Sequence, residues 1–287
     1  MSVLYDITDS VESYQKLITL YHAHKDKLFD NVSIELRQWF SANMSAALGA
    51  ILDKFTSNLN DIHFVYLSPR IETILSKNDF LTYFGKQRAI DINNTTIKFQ
   101  KIKPTDGRYF KNYVIDELID GHTADLPKMS DGVKEKIVEA IYEIFVNAQI
   151  HSETEFIYTC GQFFPQKNKI EFTIVDTGIG FKERINRRFE SKLTAPQAIK
   201  WAVQDKKTTK VGVSGGIGLA VLKEFIAMNK GKMQIVSGDG FYQFNADGEL
   251  VHLFNADFPG TIVNLQFRTD DINNYRLKSE IDINEIF

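Results

Sequence analysis

The sequence predicts an α/β protein with two domains, a smaller N-terminal α/β domain and a C-terminal two-layer α/β sandwich. Three observations support this prediction. Strand-like and helix-like segments alternate over residues 28–105, a turn-forming Pro-Thr-Asp-Gly cluster follows at 104–107, and the remainder combines two amphipathic helical segments with strand-like segments. We therefore divide the chain into residues 1–105, 106–270 and a charged tail at 271–287.

The composition is that of a soluble globular protein, with 43% hydrophobic and 25% charged residues. A net charge of −3 and the lack of long basic runs argue against a nucleic-acid partner. No segment holds the ~20 apolar residues that span a bilayer, and the first residues do not resemble a signal peptide, so we expect a cytoplasmic protein without a membrane partner. Cys160 is the only cysteine, which excludes an intramolecular disulfide.

In the N-terminal part, the spacing of apolar residues predicts a helical segment over 1–30. The small-residue-rich stretch 39–52 predicts a helix whose backbone approaches a sheet or another helix closely, and 71–84 predicts a further helix. Strands are expected where apolar and β-branched residues are bounded by turn-forming residues, at 31–36, 61–67 and 95–102.

The C-terminal part contains two predicted main helices, a central one before residue 151 and a second at 219–228. A long polar insert at 182–213 separates the two helices along the chain. The predicted strands are rich in β-branched and aromatic residues and are linked by Gly, Asp and Asn turns: 155–161, 169–176, 233–237, 241–245, 250–254 and 262–267.

The central helix carries a polar stripe beside its apolar face. Glu139, Glu143, Asn147 and His151 are each four residues apart, slightly more than one helical turn, so their side chains follow one slowly drifting line. One interpretation is a solvated face; the other is a binding edge. For His151, capping of the helix end is an equally simple interpretation.

Three glycine-bearing turns follow this helix. A strand ends in Asp176-Thr-Gly-Ile-Gly, a Ser-Gly-Gly-Ile-Gly-Leu segment at 214–219 opens the second main helix, and Gly260-Thr261 precedes the last long strand. Glycines permit positive φ angles and close backbone approach, and the unpaired N–H groups of a helix N-terminus favour phosphate oxygens. The order of the four motifs favours a nucleotide site over a solvated helix face.

On these motifs, residues 110–270 resemble the ATPase superfamily of gyrase, mismatch-repair ATPases, histidine kinases and anti-sigma-factor serine kinases, the GHKL or Bergerat fold. The segment E-I-F-V-N-A-Q-I-H, from Glu143 to His151, is especially similar to the anti-sigma kinase and histidine kinase versions. The resemblance implies that ATP and Mg²⁺ are the cofactors and that the polar insert at 182–213 is the lid over ATP.

The resemblance also implies a role for each motif residue. Asp176 would accept the adenine amino group and Thr261 would support it through water, while Asn147 would offer its oxygen to Mg²⁺. Glu143 would act as general base, and His151 would lie near the phosphates. The glycine turns would approach the base or bind the phosphates, together with the residue that follows the last glycine: Gly178, Gly180, Gly215, Gly216, Gly218 and Leu219.

The sequence departs from the family pattern in two places. Ser214 stands where the first glycine of G-x-G-x-G is often found, which should loosen the phosphate loop without abolishing it. Neither His24 nor His122 lies in the H-(E/D)-x-x-P context of a histidine kinase phosphoacceptor, which argues against autophosphorylation on histidine in this chain.

The N-terminal domain resembles, more faintly, the STAS domains of anti-sigma-factor antagonists. Those domains can be phosphorylated on a serine at the start of a helix like 39–52, and Ser41 and Ser45 lie in about that place; helix capping or close packing is the simpler role for both.

Two functions remain open. The first is an enzyme, a Mg-dependent ATPase or protein-serine kinase; the second is a non-catalytic switch in which ATP closes a lid and exposes a surface for a protein partner. A scaffold with a vestigial site fits less well, because all four motifs are present. A protein partner or substrate is expected in either case, and a homodimer is a possible assembly.

Overall fold

In the computed structural model, which describes residues 1–151, 153–204 and 218–280, the chain begins with a three-stranded parallel sheet. Its strands β1 (Ser2–Ile7), β2 (Asn31–Phe40) and β3 (Asp61–Leu67) lie side by side in chain order. Helices α1 (Val11–His24) and α2 (Ser45–Ser57) form the crossovers. The helical segment predicted over 1–30 is confirmed where α1 lies, but the prediction is wrong for residues 2–7, which form β1. Strand β1 is defined by its pairing with β2, and local spacing does not report that partner.

The fourth strand leaves this sheet. After α3 (Pro69–Lys77) and a short 3₁₀ helix at Phe80–Phe84, β4 (Thr96–Ile102) pairs antiparallel with β6 (Ile157–Phe164). Strand β4 thus belongs to the sheet of the C-terminal half, although it precedes the Pro-Thr-Asp-Gly cluster at 104–107.

The second sheet has five antiparallel strands in the order β4-β6-β7-β9-β8. Strand β7 (Lys169–Asp176) is central, and β8 (Lys232–Asn245) and β9 (Gly248–Arg268) form one long hairpin. The four short strands expected after residue 232 are thus two continuous ones, whose register shifts between Ser237 and Gly240. These irregularities bend the hairpin, so its sequence pattern is broken although its pairing continues.

Helices cover one face of this sheet. They include α4 (Gly107–Tyr113), which continues into a π-helical stretch at Val114–Asp120, and the central helix α5 (Asp131–His151). The polar insert contains two helices, α6 (Gly180–Phe189) and α7 (Ala195–Ala202), and α8 (Gly218–Asn229) lies beside α5. Finally, β5 (Lys128–Met129) pairs with β10 (Asn274–Tyr275), which holds this part of the tail against the start of α5.

The five-stranded sheet has a hydrophobic core on each face. One core joins it to α4, α5, α7 and α8, and the other joins it to α1, α2 and the parallel sheet. Helix α2 lies between the two sheets, and its residues from Ser45 to Leu52 are all buried. The α/β class and the helix-on-sheet layers of the C-terminal half agree with the prediction. The parallel sheet with α1 and α2, which we call the N-terminal layer, covers the face that a two-layer sandwich would leave open.

Candidate functional site

Helix α5 places the polar stripe at the edge of a recess between the helices and the five-stranded sheet. Ile141 and Phe145 on its other face are fully buried, which fixes the rotation of the helix. With that rotation Asn147 lines the recess, and Glu143 lies one turn earlier, towards the N-terminus of α8. Glu139 is exposed and pairs with Lys136, so it takes no part in the recess.

Asp176 and Thr261 meet on neighbouring strands. Asp176 ends β7 and is directly opposite Thr261 in the register with β9. The Asp176 Oδ1 atom accepts the N–H of Gly178 at 2.9 Å, and Thr261 Oγ1 lies 3.1 Å from Ser237 Oγ. Asp176 and Thr261 are 85 positions apart along the chain, so their proximity follows from strand register.

Gly180 and Ser237 shape the turn that follows Asp176. Gly180 has a φ of +71°, and a Cβ atom there would lie 2.8 Å from Ser237 Oγ, so the turn needs glycine. The same Ser237 Oγ accepts the N–H of Phe181 at 2.9 Å. Sequence reasoning missed Ser237, because a lone serine in a strand carries no signal of its partner.

The recess is small. Its volume is about 30 Å³, which suffices for only a few water molecules, so a purine base enters only when lining side chains move outward. The residues that line it come from both main helices, the insert and the sheet: Ile144, Asn147, Ala148, Ile174, Asp176, Gly180, Phe181, Arg184, Leu219, Thr261 and Val263. Of the predicted site residues, Asn147, Asp176, Gly180, Leu219 and Thr261 are therefore brought together.

The electrostatics of the recess are set by one carboxyl and one guanidinium. Burial raises the pKa of Asp176 from 3.8 to about 6, although the Gly178 N–H and the charge of Arg184 oppose the shift. Burial likewise lowers the pKa of Arg184 from 12.5 to about 10, against the attraction of Asp176. Arg184 belongs to the insert that the sequence assigned to a polar lid, and its place in the recess was not predicted.

The N-terminus of α8 contacts Glu143 on α5. The N–H of Gly218 donates to Glu143 Oε2 at 2.7 Å. A Cβ atom on Gly218 would lie 2.8 Å from the Cβ atom of Glu143 and 2.9 Å from the carbonyl oxygen of Ala140, so this close approach requires glycine. Gly215, Gly216 and the side chain of His151 lie outside the described residues. Gly178 precedes α6 and borders a second recess on the other side of Gly180.

The donor set suits a magnesium ion only in part. Asn147 presents a carboxamide to the recess, and Mg²⁺ prefers oxygen ligands. Within the described ranges, no three or more His, Cys, Asp or Glu side chains cluster closely enough to hold a metal ion. Asn147 would therefore hold Mg²⁺ together with phosphate oxygens and water rather than within an all-protein cage.

The two serines at the start of α2 are inaccessible. Ser41 is 3% exposed and Ser45 is fully buried, and Ser45 Oγ donates to the carbonyl oxygen of Ala42 while it accepts from Asn78. Close packing, the simpler of the two roles, describes both residues. No helix in the described part of the chain is long and apolar enough to cross a membrane.

One comparison with known proteins, the match to a family model, agrees with this geometry. A search among curated proteins gave no match. Residues 132–268 match the family model of the histidine kinase-, DNA gyrase B- and HSP90-like ATPases, a segment that runs from the start of α5 to the end of β9 and includes the whole recess. The match therefore supports an ATP-binding domain of the GHKL type over residues 132–268.

Proposed function

We propose that this chain is a regulatory protein that binds Mg-ATP and either hydrolyses it or transfers its terminal phosphoryl group to a serine of a protein partner. The observation that carries the proposal is the position of Glu143. Its carboxylate lies at the N-terminus of α8, one turn from Asn147, at the edge of the recess that contains Asp176. A protein that only bound nucleotide would not need a carboxylate there.

The roles follow from the chemistry of each side chain. Asp176 accepts the adenine amino group, and Thr261, which is directly opposite in the sheet, supports the base through water. Asn147 is the protein ligand of Mg²⁺, which supplies charge neutralisation of the transferring phosphoryl group. The N–H groups that follow Gly218 in the first turn of α8 would face the phosphates.

Glu143 is the general base of this proposal. The first described N–H of α8 holds its carboxylate at 2.7 Å, which keeps it where phosphate oxygens would approach the helix. From there it orients either a water molecule or a serine hydroxyl and accepts its proton. Water and serine place the same demand on the base, so the side chain alone does not separate hydrolysis from kinase activity.

The test compares purified wild-type protein with Glu143→Gln and, as the matched control, Glu139→Gln on the exposed side of the same helix. Release of ADP and labelling of protein by terminally labelled ATP are both measured with Mg²⁺ present. Removal of a general base should lower either activity by about a hundredfold or more, and the control should retain wild-type activity. Activity that survives in Glu143→Gln would refute the assignment.

The alternative function is a non-catalytic switch. It is favoured by the N-terminal layer, which covers one face of the sheet that binds the nucleotide and offers a route from ATP to a partner surface. The parallel sheet with its crossover helices supports a STAS-like interaction domain. We also propose a homodimer and a cytoplasmic location. Tight ATP binding with neither ADP release nor labelling would favour the switch over the enzyme.

A further inference from the structure

Arg184 presents an unpaired donor to the nucleotide recess. It lies on the second turn of α6, with its guanidinium carbon 4.9 Å from the centre of the Phe181 ring. Its Nε atom is buried, and in the described part of the chain it has no hydrogen-bond partner. Buried donors are normally satisfied, so an unpaired one that lines a binding recess indicates an acceptor supplied by the ligand.

Asp176 supplies the complementary half of the pair. Its carboxylate is an acceptor that lines the same recess, yet it forms no ion pair with Arg184 within 4.0 Å among the described residues. The recess thus offers one acceptor and one donor that do not satisfy each other. Adenine presents the matching groups, because its exocyclic amino donor is flanked by ring-nitrogen acceptors, N1 on one side and N7 on the other.

We propose that Arg184 donates a hydrogen bond to a ring nitrogen of adenine while Asp176 accepts from the amino group, so that the two side chains together set the base specificity of the site. This inference rests on the ATP-binding role proposed for Asp176 and adds a residue that none of the four sequence motifs contains. Arg184 is a specificity residue here and takes no part in the chemical step.

Binding of 1-deaza-ATP and 7-deaza-ATP, each of which lacks one of the two acceptors, tests the proposal without any substitution. We expect the wild-type protein to bind one analogue at least about tenfold more weakly than ATP, because a lost hydrogen bond to a charged donor has at least that effect. Equal binding of ATP and both analogues would overturn the proposal. Failure of the wild type to bind ATP at all would instead overturn the proposed function.

Variants then connect this effect to Arg184. The affinity of Arg184→Met for ATP should fall by the same factor, and this variant should bind the sensitive analogue no more weakly than it binds ATP. Arg184→Gln keeps N–H donors and should recover part of the affinity for ATP. Lys182→Met is the matched control, since Lys182 is an exposed cation on the same helix, and it should behave as wild type. Melting temperatures of the variants check that folding is intact.

Two outcomes would contradict the assignment to the base. If the losses from Arg184→Met and from each analogue multiply, Arg184 does not contact the missing nitrogen. If Arg184→Met weakens ATP but leaves adenosine binding unchanged, its guanidinium contacts a phosphate and the specificity role is wrong. If Arg184→Met does not fold, Arg184→Gln and the wild-type analogue series still decide the question.

Discussion

Asp176 is a carboxyl group whose ionisation is disfavoured by burial. Burial raises its pKa to about 6, so it is ionised at neutral pH and becomes protonated under mildly acidic conditions. Its proposed task, accepting from an adenine amino group, favours the ionised carboxylate, which accepts at both oxygens, whereas protonation turns one of them into a donor. The recess is therefore expected to bind the base well only above about pH 6.

The affinity for adenosine should consequently fall as the pH falls through about 6. Between pH 7 and pH 5 we expect a loss of about tenfold, since a group with that pKa is mostly ionised at the higher value and mostly protonated at the lower one. Adenosine is used because it carries no titrating phosphate. Asp176→Asn should bind weakly with little dependence on pH, and an unchanged affinity in that variant would refute the adenine assignment.

Gly218 allows α8 to approach α5. A methyl group there would lie within 2.9 Å of the Glu143 side chain and of the Ala140 carbonyl oxygen, so Gly218→Ala must shift either the carboxylate or the helix. We expect turnover at saturating ATP to fall by about tenfold to a hundredfold, because small displacements of catalytic groups have effects of that size. Adenosine affinity should stay within about twofold of wild type, because the side chains proposed to contact the base, Asp176, Thr261 and Arg184, lie on β7, β9 and α6 rather than on α8.

The control for this prediction is Ala227→Ser, which adds one atom on the exposed side of the same helix. It should leave turnover unchanged. Wild-type turnover in Gly218→Ala would show that the contact between Glu143 and the start of α8 has no part in catalysis.

At the scale of elements, helix α2 is packed on both sides. It lies between two sheets, and its small residues allow both to approach. Gly49 is the closest point, where a Cβ atom would lie 2.7 Å and 2.8 Å from ring carbons of Phe99 and 3.3 Å from Phe80. The contact with Phe99 joins the crossover helix of the N-terminal sheet to β4 of the other sheet.

Gly49→Val should therefore destabilise the whole chain. Overpacking of a filled core costs about 1–3 kcal/mol, so we expect the free energy of unfolding in urea to fall by about 2 kcal/mol. Thr56→Val, an almost isosteric change at an exposed position of α2, should cost far less. In the double variant with Phe99→Leu, the shorter side chain gives room, and the combined loss should be smaller than the sum of the separate ones.

The elements that the sequence predicted best are those with local signals. Helix α5 has an unbroken apolar face, and the turn after Asp176 has its two glycines, so both could be located without knowledge of the fold. Strand β1 could not be located in this way, because its six residues form a strand only through pairing with β2. Arg184 and Ser237 were missed for the same reason: a charged residue in a polar insert and a serine in a strand are ordinary until the fold brings them to the recess.

At the scale of the whole molecule, a buried charge cluster joins the N-terminal layer to the sheet. Asp9, in the turn before α1, pairs with Lys232 of β8, while Lys169 of β7 pairs with Glu171 and lies 3.9 Å from Asp9. Glu171 is 1% exposed and its Oε2 atom has no partner in the part of the chain described. The interface therefore contains two carboxyl groups and two ammonium groups with little access to water.

The pKa values of the two carboxyl groups are shifted in opposite directions. Burial opposes ionisation of Asp9, but the charges of Lys232 and Lys169 outweigh it and lower its pKa to about 2. For Glu171, burial and the neighbouring Asp9 raise the pKa from 4.5 to about 7. Between pH 4.5 and about pH 7, the folded chain therefore binds more protons at Glu171 than the unfolded chain does. The contribution of Glu171 to stability is complete below about pH 4.5 and is lost as the pH rises through about 7.

Glu171→Gln isolates this contribution, because it keeps the size and one acceptor oxygen of the side chain but cannot ionise. We expect the wild-type free energy of unfolding to decline between pH 5 and pH 8 more steeply than that of the variant, with the two converging at the acidic end. Glu135→Gln, an exposed position on α5, should keep the wild-type slope. Urea unfolding followed by fluorescence at several pH values measures the difference, and identical slopes in wild type and Glu171→Gln would show that Glu171 is not the titrating group. A slope difference would establish that the contact between the N-terminal layer and the ATP-binding domain is sensitive to protonation, since both carboxyl groups lie where these two parts of the chain meet.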